Sequence, residues 1–258
     1  MPMADVDGVV LHYRLDGPED APVLLLSNSL GATLDMWLPQ LDAFTRHFRV
    51  LRYDSRGHGL SAVPPGPYGM DQLTDDVVGL LDAVGVGRVH YCGLSMGGMV
   101  GQALALRAPE RLDRLVLCNT AALIGPPELW DSRVAAVAAG GTAVLVSVLD
   151  RWFTAEFRQR FPDRVEPFAK MLRETNPLGY IACCRAVQNH DLRFSLSAIR
   201  APTLVVAGTG DVATPPAAGR FLVEAIPGAE YLELPAAHLS NVEAADAFTT
   251  NVSAFLNG

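Results

Sequence analysis

The sequence predicts an α/β fold, a mostly parallel twisted sheet flanked by helices, with a helical cap inserted into it. Three observations carry this expectation. Short apolar runs alternate with segments of helical spacing, the pattern of strands joined by right-handed crossovers. Several of those runs are continuously apolar, as strands covered on both faces require. One run, "RVHYCGL", stops on a serine set between glycines and resumes at once as a helix.

Taken in order, strand-like runs lie at 9–15, 22–28, 48–54, 88–94, 111–119, 202–208 and 229–235. Helical patterns fall between them. Residues 72–85 place apolar side chains at helical spacing and end on a glycine, a common stop signal. A second helix follows the serine and ends near Pro109, and two more cover "PPAAGRFLVEAIPG" and "NVEAADAFTTNVSAFL". The alternation breaks between Ala121 and Ser197, where helix-like segments and prolines replace strands. The expected division is therefore a core of 1–120 and 198–258 with a helical cap at 121–197.

Composition narrows the functional classes. Of 258 residues half are apolar and 19% charged, enough to bury a large core. A net charge of −8, with no cluster of Lys and Arg, argues against nucleic-acid binding. The first residues carry no positive segment followed by an apolar one, so no signal peptide is expected. The longest uncharged stretch, between Arg133 and Asp150, is 16 residues and broken by Gly140 and Gly141, short of the roughly 20 needed to cross a membrane. The four cysteines, Cys92, Cys118, Cys183 and Cys184, lack Cys-x-x-Cys spacing, so neither a disulfide framework nor a metal site is expected. A reducing, cytoplasmic setting fits this usage. Homo-oligomerisation stays open.

The chemistry rests on Gly93-Leu94-Ser95-Met96-Gly97. A strand-to-helix turn this sharp strains its central residue, and glycines two positions away relieve the crowding. The serine hydroxyl then stands at the carboxyl end of the sheet beside a helix N-terminus, which favours negative charge. Ser95 could instead be a helix cap, although capping does not call for the glycines. A serine needs a base to be nucleophilic, and the elbow arrangement places an acid and then a histidine later in the chain. Asp211 follows the run 202–208, and His238 follows the run 229–235. His12, His47, His58, His90 and His190 read as packing or surface residues, with His58 nearest the expected pocket. Two backbone N–H groups complete the expected site, those of Met96 and of Leu30 in "SNSLG". Asp35 and Trp37, just beyond, read as capping or packing residues.

These residues resemble the α/β-hydrolase superfamily over essentially the whole chain. The likeness rests on the Ser95 elbow, on Asp54 through Ser61 ("DSRGHGLS"), on "PTLVVAGTGD" and on "AAH". The Asp54–Ser61 stretch is a mark of that family with a mainly structural role. The usual His-Gly before the oxyanion residue is replaced by Asn28-Ser29-Leu30-Gly31, which leaves the backbone donor intact. "LSNSLGATLDMW" and "NTAALIGPPELWDSRV" resemble the 3-oxoadipate enol-lactonases of bacterial aromatic-compound breakdown. The resemblance implies a cofactor-free serine hydrolase that opens a small lactone bearing a carboxylate. In such an enzyme Arg133 would grip the carboxylate, with Trp130 as an apolar wall. Arg133 could equally pair with Asp131 or Glu128. Ser95 argues against the dehalogenases and epoxide hydrolases of this architecture, which use an aspartate at the elbow. A carboxylesterase, a perhydrolase, a carbon–carbon bond hydrolase and a non-catalytic small-molecule binder share the same framework.

Overall fold

Residues 2–258 are described by a computed structural model of the chain. All seven expected runs form strands: β2 (Val9–Asp16), β3 (Val23–Ser27), β4 (Arg49–Tyr53), β5 (Val89–Leu94), β6 (Leu112–Cys118), β7 (Thr203–Gly208) and β8 (Glu230–Leu234). A further strand, β1 (Met3–Val6), was not anticipated. It pairs antiparallel with β2 across Asp7-Gly8, whose φ angles of 49° and 84° suit a tight hairpin. That Asp-Gly pair was the available signal.

The strands form one sheet in the order β1-β2-β4-β3-β5-β6-β7-β8. Pairing from β4 through β8 is parallel, and the β1–β2 and β2–β4 pairs are antiparallel. Helices α1 (Leu38–Phe44), α2 (Met70–Ala83), α3 (Met96–Arg107), α9 (Pro216–Ala225), α10 (Ser240–Glu243) and α11 (Ala245–Asn257) accompany the sheet. Helix α3 is buried along Met96–Ala105, as expected of a helix that is apolar all round. Its Gly101 lets it approach β5: a Cβ there would lie 2.6 Å from the Tyr91 ring. The terminal helical pattern is not continuous, because Ala244 leaves helical geometry (φ −111°, ψ 44°) and divides α10 from α11.

Between β6 and β7 the chain runs through α4 (Pro127–Gly140), a 3₁₀ segment at Thr142–Val148, α5 (Leu149–Trp152), α6 (Ala155–Arg160), α7 (Pro162–Glu174) and α8 (Pro177–Gln188). The uncharged stretch that ends at Asp150 thus breaks at Gly141 (φ +66°) into α4 and the 3₁₀ segment. Among the described residues no helix is long and apolar enough to cross a membrane. Aromatic packing joins these helices: Phe153 contacts both Phe157 and Phe168, with ring centres 5.4 and 5.3 Å apart.

Candidate active site

The elbow follows from three glycines. Strand β5 ends on Leu94 and α3 begins on Met96, so Ser95 alone must make the turn. Its backbone sits at φ 58°, ψ −114°, a conformation costing about 1–3 kcal/mol for a residue with a side chain. A Cβ on Gly93 would lie 2.2 Å from the Gly97 carbonyl oxygen, and one on Gly97 would lie 2.3 Å from the Ser27 carbonyl oxygen. On Gly98 it would meet Thr120 at 2.6 Å. The Ser95 N–H donates to the Cys118 carbonyl (2.9 Å) and Thr120 Oγ1 donates to the Ser95 carbonyl (2.8 Å). The Ser95 side chain makes no capping hydrogen bond. The strain therefore does not serve the helix end.

His238 lies on the loop after β8, between two tethered residues. The Ala237 N–H donates to Glu243 Oε2 (2.9 Å), and the Leu239 N–H donates to the Trp152 carbonyl (3.0 Å). His238 Nδ1 lies 2.8 Å from Asp211 Oδ2, both side chains being buried. Asp211 receives hydrogen bonds from the N–H groups of Ala213 and Thr214 on one oxygen, and from Asn119 Nδ2, Thr214 Oγ1 and His238 on the other. Burial raises the Asp211 pKa, but the charge and hydrogen bonds of His238 and the Thr214 donors outweigh it and bring it down to about 2. The carboxylate is thus ionised at neutral pH, and its acceptance from Nδ1 leaves Nε2 as the imidazole's other face.

The loop after β3 is held from both sides. The Gly31 N–H donates to His58 Nε2 (2.9 Å), which leaves the His58 proton on Nδ1, 3.3 Å from the Arg56 carbonyl. Burial lowers the His58 pKa and keeps the ring neutral, as an acceptor must be. The Gly31 carbonyl accepts from Thr175 Oγ1 (3.3 Å), and φ of +86° at Gly31 favours glycine. Next to this clamp the Leu30 N–H has no hydrogen-bond partner among the described residues, and neither has the Met96 N–H. Asp35 stays near the surface, and Trp37 is fully buried with its N–H on Asn28 Oδ1 (3.0 Å).

Ser95, His238 and Leu30 face one cavity of about 170 Å³, whose lining includes Trp130, Arg133, Arg151, Trp152 and Tyr180. This is small beside the roughly 300–1,000 Å³ of common ligand sites. No hydrogen bond joins the Ser95 hydroxyl to the imidazole; such contacts commonly tighten only with substrate in place. Trp130 Nε1 donates to the Ile124 carbonyl (2.7 Å), and the Arg133 guanidinium lies 4.8 Å from the Trp130 ring centre. Asp131 pairs with Arg185 rather than with Arg133. A wider cleft of about 730 Å³, between α7 and the stretches 33–39 and 54–60, contains none of Ser95, Asp211 and His238.

The model of the α/β hydrolase fold matches residues 22–245. The chain belongs to the α/β hydrolase fold family. An enol-lactonase from Burkholderia xenovorans LB400 superimposes on this α/β hydrolase with a TM-score of 0.98 and 49% identity, each chain covered in full. The 3-oxoadipate enol-lactonase 2 of Acinetobacter baylyi is 41% identical over 96% of this chain and 93% of its own. A putative carbamate hydrolase, RutD, of Agrobacterium fabrum is 32% identical over 95% of this chain and 98% of its own.

Within this α/β hydrolase the Asp54–Ser61 stretch has a structural explanation. Asp54 accepts from the N–H groups of Leu34 (2.8 Å) and Leu60 (3.0 Å) and lies 2.8 Å from His12 Nδ1. Arg56 forms a buried two-pronged pair with Asp76, both bonds 2.5 Å. Sequence reasoning missed three contributors. Asn119, at the carboxyl end of β6 with φ 43°, donates to Asp211 and accepts from Ser240 Oγ (2.6 Å). Its place at a strand end was the available signal. Thr214 was legible as a turn residue in "DVATPP" but not as a donor. Arg151, in the cap-like helices, gave no local signal at all.

Proposed function

We propose that this chain is an enol-lactonase that opens 3-oxoadipate enol-lactone to 3-oxoadipate, with Ser95 as nucleophile, His238 as base and Asp211 as its partner. One observation carries the reading. A strained serine with no capping bond shares a small cavity with an imidazole whose far side is held by an ionised, fully satisfied carboxylate.

Ser95 Oγ attacks the lactone carbonyl carbon as His238 Nε2 takes its proton. The carbonyl oxygen, now negative, is received by the N–H groups of Leu30 and Met96; a donor of this kind is worth about 2.7–4 kcal/mol in the transition state. The ring C–O bond breaks, and the enolate oxygen that leaves takes the proton from His238. The released enol tautomerises to a ketone, which disfavours ring closure. Water, deprotonated by His238, then attacks the acyl-enzyme and releases the second carboxylate, and Ser95 regains its proton. Asp211 holds the imidazole's orientation and stabilises its charged form. Residues 121–197 act as a cap over the 1–120 and 198–258 core, contributing Trp130 as an apolar wall and Arg133 as the cation for the substrate carboxylate. Catalysis of this kind calls on no cofactor.

The test is a spectrophotometric assay on freshly generated 3-oxoadipate enol-lactone. Ser95→Ala is expected to lower kcat by about 10⁴-fold or more with folding intact. A purified variant that keeps a substantial fraction of the rate removes Ser95 from its role. A carbamate-hydrolase reading is favoured by several relatives named putative carbamate hydrolase RutD, at 30–40% identity. Faster turnover of a carbamate than of the lactone would select it.

A further inference from the structure

The cavity that holds Ser95 has an unusual charge inventory for a chain of net charge −8. No Asp or Glu lines it, yet two guanidinium groups do, those of Arg133 on α4 and Arg151 on α5. Eleven of the 19 arginines lie within ion-pair distance of a carboxylate, and of the others only Arg133 and Arg151 line this cavity. Among the described residues neither Arg133 nor Arg151 lies within ion-pair distance of a carboxylate, and the side-chain partner of Arg133 is the neutral Tyr180 hydroxyl rather than an acid. Arg133 is placed by the Trp130 ring, whose own N–H is spent on the backbone. Burial, with the positive charge of Arg133 nearby, lowers the Arg151 guanidinium from its ordinary value. Two like charges brought together at a half-buried site are costly unless an anion joins them.

We infer that Arg151 is a substrate-binding residue that acts with Arg133 as a two-armed receptor for one carboxylate, so that the site takes small acyl compounds carrying a carboxylate remote from the scissile carbonyl. This rests on the proposed hydrolase reading for the reaction but on the cavity alone for the anion. The planar forks suit a carboxylate gripped by two hydrogen bonds from each side. The helices between β6 and β7 supply both arms, and Ser95 and His238 are supplied by the sheet's carboxyl edge. The receptor therefore sets the distance between the carboxylate and the carbon under attack.

Two measurements test this. In the first, kcat/KM is compared on 3-oxoadipate enol-lactone and on α-angelica lactone, the same ring with a methyl group in place of the carboxymethyl group. Arg151→Gln is expected to lower kcat/KM on the carboxylated lactone by about 10- to 100-fold, the range of a lost charge-assisted hydrogen bond. It should change the neutral lactone less than about threefold, which also reports that the variant is folded. Arg151→Lys should recover part of the loss, and the Arg133→Gln, Arg151→Gln pair should lose less than the product of the single losses, because both arms hold one group. In the second, adipate is titrated into Ser95→Ala protein and followed by the fluorescence of Trp130 and Trp152, which line the cavity. Adipate should bind, and Arg151→Gln should weaken it in the same proportion. An equal loss on both lactones, or adipate binding indifferent to Arg151, overturns the inference. Adipate binding that depends on Arg151 in a protein that does not open the lactone supports the receptor and overturns only the substrate.

Discussion

At the scale of single residues the site is governed by hydrogen bonds that fix which atom carries a proton. Asp211 is the clearest case, with five donors and a pKa brought down to about 2. Because its folded value lies below the ordinary 3.8, its ionised form contributes stability above about pH 4, lost as pH falls towards 2. That contribution is about 2 kcal/mol. Urea titrations between pH 6 and pH 2 should show it in the wild type and not in Asp211→Asn. The same variant should lose about 10⁴-fold in kcat, since an amide favours the wrong imidazole tautomer. His58 acts one step further out. His58→Leu removes the acceptor for the Gly31 N–H. If Leu30 is the oxyanion donor proposed above, this variant should lower kcat about 10-fold or more with KM nearly unchanged, because such a donor acts in the transition state rather than in substrate binding. His58→Gln, which keeps an acceptor, should recover part of that rate. Sequence reasoning placed His58 near the pocket but could not see its partner, because the contact spans 27 residues and depends on how two loops meet.

At the scale of elements the elbow is the decisive unit. Its glycines are demanded by space rather than by flexibility, since the Cβ positions at 93 and 97 fall on backbone atoms of α3 and β3. Gly97→Ala should therefore lower stability by about 1–3 kcal/mol, read as a shift of the urea midpoint. It should also slow turnover, because the atom it strikes, the Ser27 carbonyl oxygen, precedes the loop that carries Leu30. This unit was legible in the sequence because everything that makes it is local: strand, turn and helix lie within one continuous stretch. The seven strands were legible for the same reason, their apolar runs being long enough to mark a buried position. β1 was not, being four residues long with alternate side chains exposed, so its only mark was the Asp7-Gly8 turn after it. The division of the last helix at Ala244 was also hidden. Nothing in "VEAADAF" breaks helical spacing, and the change of direction accompanies Glu243 reaching back to Ala237 and Thr154.

At the scale of the whole molecule the sheet brings residues far apart in the chain to one rim. Leu30, Ser95 and His238 follow β3, β5 and β8, three strands of one sheet with parallel direction. Their order along the chain was readable, and their meeting was an inference from fold type. The helices between β6 and β7 then close over that rim. They supply Trp152, whose carbonyl accepts from Leu239 beside His238, and Thr175, which donates to the Gly31 carbonyl in the loop after β3. These ties, and the place of Arg151 beside Arg133 in the cavity, lay beyond sequence reasoning because helical periodicity tells which face is buried but not what it is buried against. The most direct test of the central claim is to trap the acyl group. Protein mixed with excess p-nitrophenyl acetate is quenched in acid, digested and analysed by mass spectrometry. One acetyl group on the peptide that contains Ser95, absent from Ser95→Ala and accumulating in His238→Ala far more slowly than in wild type, is the expected result. An acetyl group on another residue at the wild-type rate, with the Ser95 peptide unmodified throughout turnover, would contradict it.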